Sequence, residues 1–198
     1  MSKTGIDEKG NFSRPKPRGF LRNLFREPLE IGALAPSSRF LAKLLVNDIK
    51  PGSKVIELGA GTGAVTQAIL NAGVYAKDLT LIEQNKEFVE LLRQQFSEAT
   101  VLQANAVSFR RHLAPGSEAV DFVVSGLPLL LFPARLKARL LAQIFKSLHS
   151  DGCLYQFTYG GCCPISRKLR RTLALKASLI GFTPFNVPPA FVYRITRN

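Results

Sequence analysis

The chain reads as an α/β protein, a three-layer sandwich whose seven-stranded, mainly parallel sheet carries helices on both faces. Three observations lead there. From residue 55 onward, short apolar runs rich in β-branched residues alternate with helical stretches, and that alternation demands crossover connections and a parallel sheet. Residues 55–63, Val-Ile-Glu-Leu-Gly-Ala-Gly-Thr-Gly, set a buried strand against a tight glycine turn and a following helix. Leu79-Thr80-Leu81-Ile82-Glu83 then ends a second strand on a lone carboxylate, about twenty residues on, where nucleotide-binding sheets hold a ribose.

The elements follow in order. Residues 1–17 are polar and interrupted by Gly5, Gly10, Pro15 and Pro17, the composition of a mobile arm. Gly19 to Glu27 is a short helix stopped by Pro28. Ser37 or Ser38 caps a longer helix with Phe40, Leu41, Leu44 and Leu45 on one face, and Pro51-Gly52 ends it. The first strand, Val55 to Leu58, leads into helix 64–72, strand 79–83, helix 86–97, strand 100–103, a short helix near 107–112 and strand 119–124. Helix 135–149 directs Leu136, Leu140, Leu141, Ile144, Phe145 and Leu148 toward the core. Strand 152–158, a basic helix over 166–179 and two last strands near 181–187 and 190–196 complete the chain.

Composition bounds the function. At 198 residues and 46% apolar content the chain can bury one substantial core. No apolar run approaches the roughly eighteen residues that span a bilayer, and the polar N-terminus lacks the apolar stretch of a signal peptide. Cys153, Cys162 and Cys163, with two histidines, offer neither a disulfide framework nor metal-ligand spacing, so a cytoplasmic, reduced and metal-free protein is expected. The formal net charge is +13, and it is clustered: from Arg135 to the end there are eleven basic residues against Asp151 alone, and Lys9 to Arg26 holds six with no acid. Such clustering implies a polyanionic partner, nucleic acid or an anionic membrane surface.

The glycine spacing is G-x-G-x-G preceded by Glu57, not the G-x-G-x-x-G of dinucleotide folds. It resembles the first motif of class I S-adenosylmethionine (SAM) methyltransferases. The resemblance implies the Rossmann-like fold of that class, with a C-terminal antiparallel hairpin, and SAM as cofactor, leaving S-adenosylhomocysteine as product. It implies that Glu57 faces the amino-acid part of SAM while Gly59, Ala60, Gly61 and Gly63 lie against the adenosine. Glu83, followed by Gln84, holds the ribose, a carboxylate offering two acceptor oxygens to two hydroxyls. Asn105 and Ala106 follow the third strand where such enzymes meet the adenine, with Asn105 keeping a hydrogen-bonding group but not the usual charge. Ser125 and Gly126, at the end of the fourth strand, border the same crevice.

The acceptor side is the run Ser125-Gly126-Leu127-Pro128-Leu129-Leu130. Amino-group methyltransferases carry an Asn-Leu-Pro-Tyr type of segment there, whose tyrosine stacks a flat base. Here Leu127 and Leu129 make an aliphatic wall, which suits an acyl chain better than a nucleobase. Together with Gly32-Ala33-Leu34-Ala35-Pro36-Ser37-Ser38, Gln156-Phe157-Thr158-Tyr159-Gly160 and Pro189-Ala190-Phe191-Val192-Tyr193-Arg194, this run resembles the bacterial phospholipid N-methyltransferases related to the rRNA adenine dimethylases. That likeness implies stepwise methylation of phosphatidylethanolamine, through mono- and dimethyl forms, to phosphatidylcholine. It divides the chain into a docking arm, 1–28, and a methyltransferase domain, 29–198, peripheral to the cytoplasmic face of the inner membrane. In the arm, Phe20, Leu21, Leu24 and Phe25 share one helical face flanked by Arg18, Arg22 and Arg26, the pattern of a helix lying in the headgroup plane. Tyr159 and Ser125 are the candidates for holding the amine, Tyr159 by hydroxyl or ring face, and Arg194 for pairing with the lipid phosphate. The alternatives are an RNA adenine methyltransferase, which would want a tyrosine at position 129 and a further RNA-binding domain after Asn198, and a methyltransferase of another amino-lipid.

Overall fold

The computed structural model describes residues 36–115, 117, 119–159, 161–184 and 189–198. The expectations for the arm, including Arg18, Phe20, Leu21, Arg22, Leu24, Phe25 and Arg26, lie outside the described residues. The described chain alternates as expected: α1 (Pro36–Val46), β1 (Val55–Leu58), α2 (Ala64–Asn71), β2 (Leu79–Glu83), α3 (Lys86–Gln95), β3 (Thr100–Gln103), β4 (Val120–Ser125), α4 (Ala134–Ser147), β5 (Leu148–Tyr159), α5 (Arg167–Thr172), β6 (Leu175–Thr183) and β7 (Ala190–Arg197). The seven strands form one sheet in the order β3-β2-β1-β4-β5-β7-β6. Strands β1 to β5 pair in parallel, and β7 runs antiparallel to both β5 and β6. The order reverses between β1 and β4, and in such sheets ligands bind at the carboxyl ends of the strands beside that reversal.

Side-chain alternation splits the interior into two cores. Ile56, Leu58, Ile82, Val123 and Leu154 project from one face of the sheet against Leu140, Leu141 and Ile144 of α4. Val55, Leu79, Leu81, Val124 and Tyr155 project from the other, against Leu41 and Leu45 of α1, Ile69 of α2, and Val89 and Leu92 of α3. Period-two strands feeding opposite faces are what a sheet covered on both sides requires.

The local differences from expectation have physical causes. Helix α1 begins at Pro36, so Ser37 and Ser38 sit inside its first turn, and proline takes the position where its missing N–H is harmless. The basic helix over 166–179 ends at Thr172, because Ala174 adopts a left-handed φ of 50° and breaks the helical path. Leu175 onward then pairs with β7, so the helix propensity of Leu-Lys-Ala is overridden by a strand partner available only in three dimensions. The fifth strand begins at Leu148 rather than at 152, and Leu136, expected in the core, is 38% exposed in the first turn of α4.

Tyr155 ties the sheet to the chain after α1. Its ring is buried and stacked near Phe122, with centroids 5.9 Å apart, and its hydroxyl donates to Asp48 Oδ2 at 3.0 Å. Burial, with Cys153 and Asp48 alongside, keeps that phenol protonated throughout the working pH range. Tyr155→Phe should therefore lower stability by about 1 kcal/mol, the worth of one net hydrogen bond. Asp48→Ala in the Tyr155→Phe background should add nothing through this bond, which thermal unfolding of the double-mutant cycle measures.

Candidate active site

The turn after β1 is built from three glycines with positive φ, 74° at Gly59, 56° at Gly61 and 86° at Gly63. Two of them are filled by the protein itself. A methyl on Gly59 would come within 2.9 Å of Leu127 Cδ2, and one on Gly63 within 2.5 Å of Phe96 Cε2. A methyl on Gly61 would meet nothing within 4 Å, so this is where the bare backbone faces open space and a ligand can approach it. Ala60 between them is buried.

Glu57 lies beneath this turn, 2% exposed in a strand whose four residues are all buried. Its Oε2 accepts a 2.6 Å hydrogen bond from the hydroxyl of Thr66, itself fully buried in α2. Burial raises the Glu57 pKa from 4.5 to about 8; the Thr66 bond opposes the shift and nearby Glu83 adds to it. A buried carboxyl poised near neutrality beside an open backbone is suited to receive a cationic amino group, which would favour its ionised form. Thr66 was not singled out from the sequence; its one signal is a threonine among the apolar residues of a short helix, nine residues after the glutamate.

Glu83 closes the far side of the crevice. Its Oε2 accepts from the Gly61 N–H at 2.9 Å, and its Oε1 from the N–H groups of Gln84 at 2.7 Å and Asn85 at 2.8 Å. Three of roughly four acceptor positions on the carboxylate are thus occupied, leaving room for one hydroxyl. A second hydroxyl requires the Gly61 bond to be exchanged, which links ligand binding to the shape of the glycine turn. Gln84 and Asn105 are exposed and bonded to each other, Asn105 Nδ2 donating to Gln84 Oε1 at 3.3 Å. Asn105 Oδ1 accepts from the Val107 N–H at 2.9 Å and so caps the 3₁₀ turn that starts at Ala106.

The turn after β4 meets the glycine turn backbone to backbone. Gly126 N–H donates to the Leu58 carbonyl at 2.9 Å, and a methyl on Gly126 would stand 2.9 Å from the Gly59 carbonyl oxygen. Ser125 is fully buried, and its hydroxyl accepts from the Leu127 N–H at 3.3 Å. That bond holds the turn in shape. Leu127 covers Gly59, whereas Leu129, expected on the acceptor wall, is 1% exposed and belongs to the core facing α4. The leucine that this turn exposes is Leu130, because the 3₁₀ turn Leu129–Leu131 rotates it outward.

Tyr159 is the last residue of β5, half-buried, with its ring edge-on to Phe157 at 5.4 Å. By strand register it shares a face of the sheet with Glu57, since Glu57 aligns with Val124 and Val124 with Tyr155. Arg194 does not reach this end. It pairs with Tyr155, four residues short of the Tyr159–Ala190 pair, or about 13 Å along the strand. There its guanidinium is held firmly charged, chiefly by a hydrogen bond to the Cys153 side chain, with Tyr155 and Asp48 alongside. Arg194 is exposed and, through Tyr155 and Val124, level with Glu57 in the sheet.

Comparison with known proteins agrees with this geometry. A family model for a methyltransferase domain matches residues 55–152. An ornithine lipid N-methyltransferase from Singulisphaera acidiphila is 31% identical over 180 residues, which cover 88% of this chain and 92% of that protein. A ribosomal RNA small subunit methyltransferase A from Malacoplasma penetrans is 36% identical over only 62 residues, 31% of this chain and 22% of that one. Among solved structures, a TehB-like SAM-dependent methyltransferase from Corynebacterium glutamicum superposes with a TM-score of 0.64 at 14% identity, covering 91% of this chain and 97% of that one. Magnesium protoporphyrin IX methyltransferase from Synechocystis with bound SAM gives 0.63 at 13% identity, covering 95% and 100%. At these identities the structures speak for the fold.

The residues present fit SAM: open backbone at Gly61 for the nucleoside, a spare acceptor on Glu83 for a hydroxyl, and buried Glu57 for a cationic amino group. Two measurements follow. Because the folded pKa of Glu57 lies above its value of 4.5, its contribution to stability is complete below about pH 4.5 and is lost as the pH rises through about 8. In thermal melts without added SAM, Glu57→Gln should flatten this decline and raise Tm relative to the parent at pH 8 and above; parallel curves would sink the buried-carboxyl reading. Glu83→Ala should weaken SAM binding by roughly tenfold or more in calorimetry, losing a hydroxyl contact and the Gly61 anchor together.

Proposed function

Because the chain belongs to the class I SAM-dependent methyltransferases, in a lipid-methyltransferase family, we propose that it methylates the primary amine of a membrane lipid, phosphatidylethanolamine first, in steps toward phosphatidylcholine. The observation that carries this reading is the rim of the site. Six large hydrophobic residues are exposed among the described residues, and five of them, Leu130, Leu136, Leu179, Ile180 and Phe182, belong to segments at the carboxyl-end side of the sheet. Exposed apolar side chains on that side of the sheet offer an interaction surface. Beside them α4 carries Arg135, Lys137 and Arg139, and α5 carries Arg167, Lys168, Arg170 and Arg171. Grease and positive charge together suit an anionic bilayer better than a folded RNA, which would call for aromatic stacking platforms.

SAM supplies an activated methyl group, so the protein's task is largely to position a neutral amine. Glu57, Glu83 and the glycine turn hold the donor side. Tyr159, on the face of Glu57 at the strand end, offers hydroxyl and ring to the headgroup. The ammonium of the free lipid must first lose its proton, and the cations of the rim favour that loss by repulsion. Docking to the cytoplasmic leaflet of the inner membrane is assigned to residues 1–28, whose sequence interleaves Phe20, Leu21, Leu24 and Phe25 with Arg18, Arg22 and Arg26.

A second reading is favoured by the Singulisphaera relative, which is named for ornithine lipid. An ornithine headgroup also ends in a primary amine, but carries a carboxyl group in place of the ethanolamine phosphate. Labelled SAM offered with vesicles of phosphatidylethanolamine, of ornithine lipid, or with structured RNA separates the readings, and label in RNA alone removes both lipid ones. Tyr159→Ala should slow turnover by roughly tenfold with SAM affinity nearly unchanged, while Tyr159→Phe tells ring from hydroxyl. Phe20→Ala with Leu24→Ala should abolish co-sedimentation with phosphatidylglycerol vesicles, and added salt should weaken the binding of the parent chain. Salt-insensitive binding by the double variant would remove the arm from docking.

A further inference from the structure

We infer that Gln156 holds the acceptor nitrogen through its side-chain carbonyl oxygen, and that this bond operates in the first and second methyl transfers but not in a third. The inference rests on the amino-lipid reading above. Gln156 is fully buried in β5, aligned with Ser125 of β4 on one side and Tyr193 of β7 on the other. Its Nε2 donates to the Leu127 carbonyl at 2.9 Å and to the Phe157 carbonyl at 2.7 Å. Two carbonyls can only accept, so the amide has one allowed orientation: nitrogen toward them, oxygen away. That oxygen, Oε1, is buried without a hydrogen-bond partner among the described residues. Two residues on, and therefore on the same face, the Thr158 hydroxyl is buried and unpartnered too.

Buried polar atoms are nearly always paired, and an orphan beside a reaction site calls for a ligand. The position suits one. The Gln156 amide hangs from the carbonyl of Leu127, and the Leu127 side chain rests on Gly59 of the donor turn. Gln156 is also level with Leu58 and Ser125, the last residues of β1 and β4, from which the donor and acceptor turns spring. An amide oxygen in an apolar setting accepts from a neutral N–H, and a bond from one amine hydrogen fixes the direction in which the lone pair points.

The nitrogen attacks as a neutral amine: its bond to the methyl carbon forms as the carbon–sulfur bond breaks, sulfur keeps that electron pair, and the resulting ammonium gives a proton to water. Before the first transfer the nitrogen carries two hydrogens, before the second one, and before the third none. Gln156 can therefore orient the amine and the monomethylamine, while a dimethylamine must rely on other contacts.

The test measures kcat/KM of the full chain and of Gln156→Leu on vesicles carrying phosphatidylethanolamine, its monomethyl form or its dimethyl form. The expected loss is greater by roughly tenfold or more for the first two lipids than for the third, whose own loss reports the missing bonds to the Leu127 and Phe157 carbonyls. A merely structural amide, one that only pins the Leu127 turn or binds a buried water, would depress all three equally, and that result overturns the inference. SAM affinity by calorimetry should stay near the parent value, showing that the donor crevice is intact. Inhibition by phosphatidylcholine, which has no N–H, should be unchanged in the variant, and this holds even if the parent enzyme stops before the third transfer. If the parent methylates ornithine lipid instead, the same series is run on that lipid and its methylated forms. A parent inert toward every amino-lipid overturns the substrate reading itself, a failure distinct from equal losses across the series.

Discussion

The site depends on a close approach of two backbones. The turns after β1 and β4 touch through the Gly126 N–H to Leu58 carbonyl bond, with the Gly59 carbonyl only 2.9 Å from where a Gly126 methyl would stand. Gly59 is anchored from the other side by its N–H to the Ile82 carbonyl of β2, at 2.8 Å. Three parallel strands therefore converge on one glycine pair with no space for side chains between them. Donor crevice and acceptor turn are consequently one object. Leu127, filling the gap over Gly59, is the single side chain that belongs to both, and Gln156 reaches the same turn from the next strand.

Electrostatics divides the molecule as sharply as packing does. On a chain of net charge +13, the two carboxylates of the crevice serve opposite purposes. Glu83 is spent on backbone N–H groups and shapes the loop. Glu57 is buried with a single threonine donor, so its ionisation waits for a cation.

What could be read from the sequence was whatever local spacing encodes. The glycine turn, the carboxylate ending β2 and the seven-strand order of elements each depend on neighbours within a few residues, and these were legible. Misreadings fell where a residue's fate is set by a strand it meets only after folding. Leu175 to Leu179 looks helical until β7 is present to pair with it. Leu129 and Leu130 are chemically alike, and only the 3₁₀ turn decides which one is core and which is rim. Thr66 and Gln156 carried no role in the sequence, because neither a threonine in a helix nor a glutamine in a strand has a function until its partner is known.

The distribution of positive charge serves the proposed chemistry twice over. Cations on the first turns of α4 and α5 stand at the carboxyl ends of β4 and β5, the side from which a headgroup must enter. They attract an anionic leaflet, and they also disfavour the protonated amine that arrives with it, shifting the lipid toward the nucleophilic form. Both effects act through solvent and weaken with salt, but differently: leaflet attraction spans a Debye length of about 10 Å at 0.1 M, whereas repulsion of an ammonium held among the cations is screened less. A basic rim therefore need not oppose a cationic substrate. Under the proposed function it would recruit the surface that carries the substrate and help remove the proton that prevents reaction, leaving Glu57 for the donor.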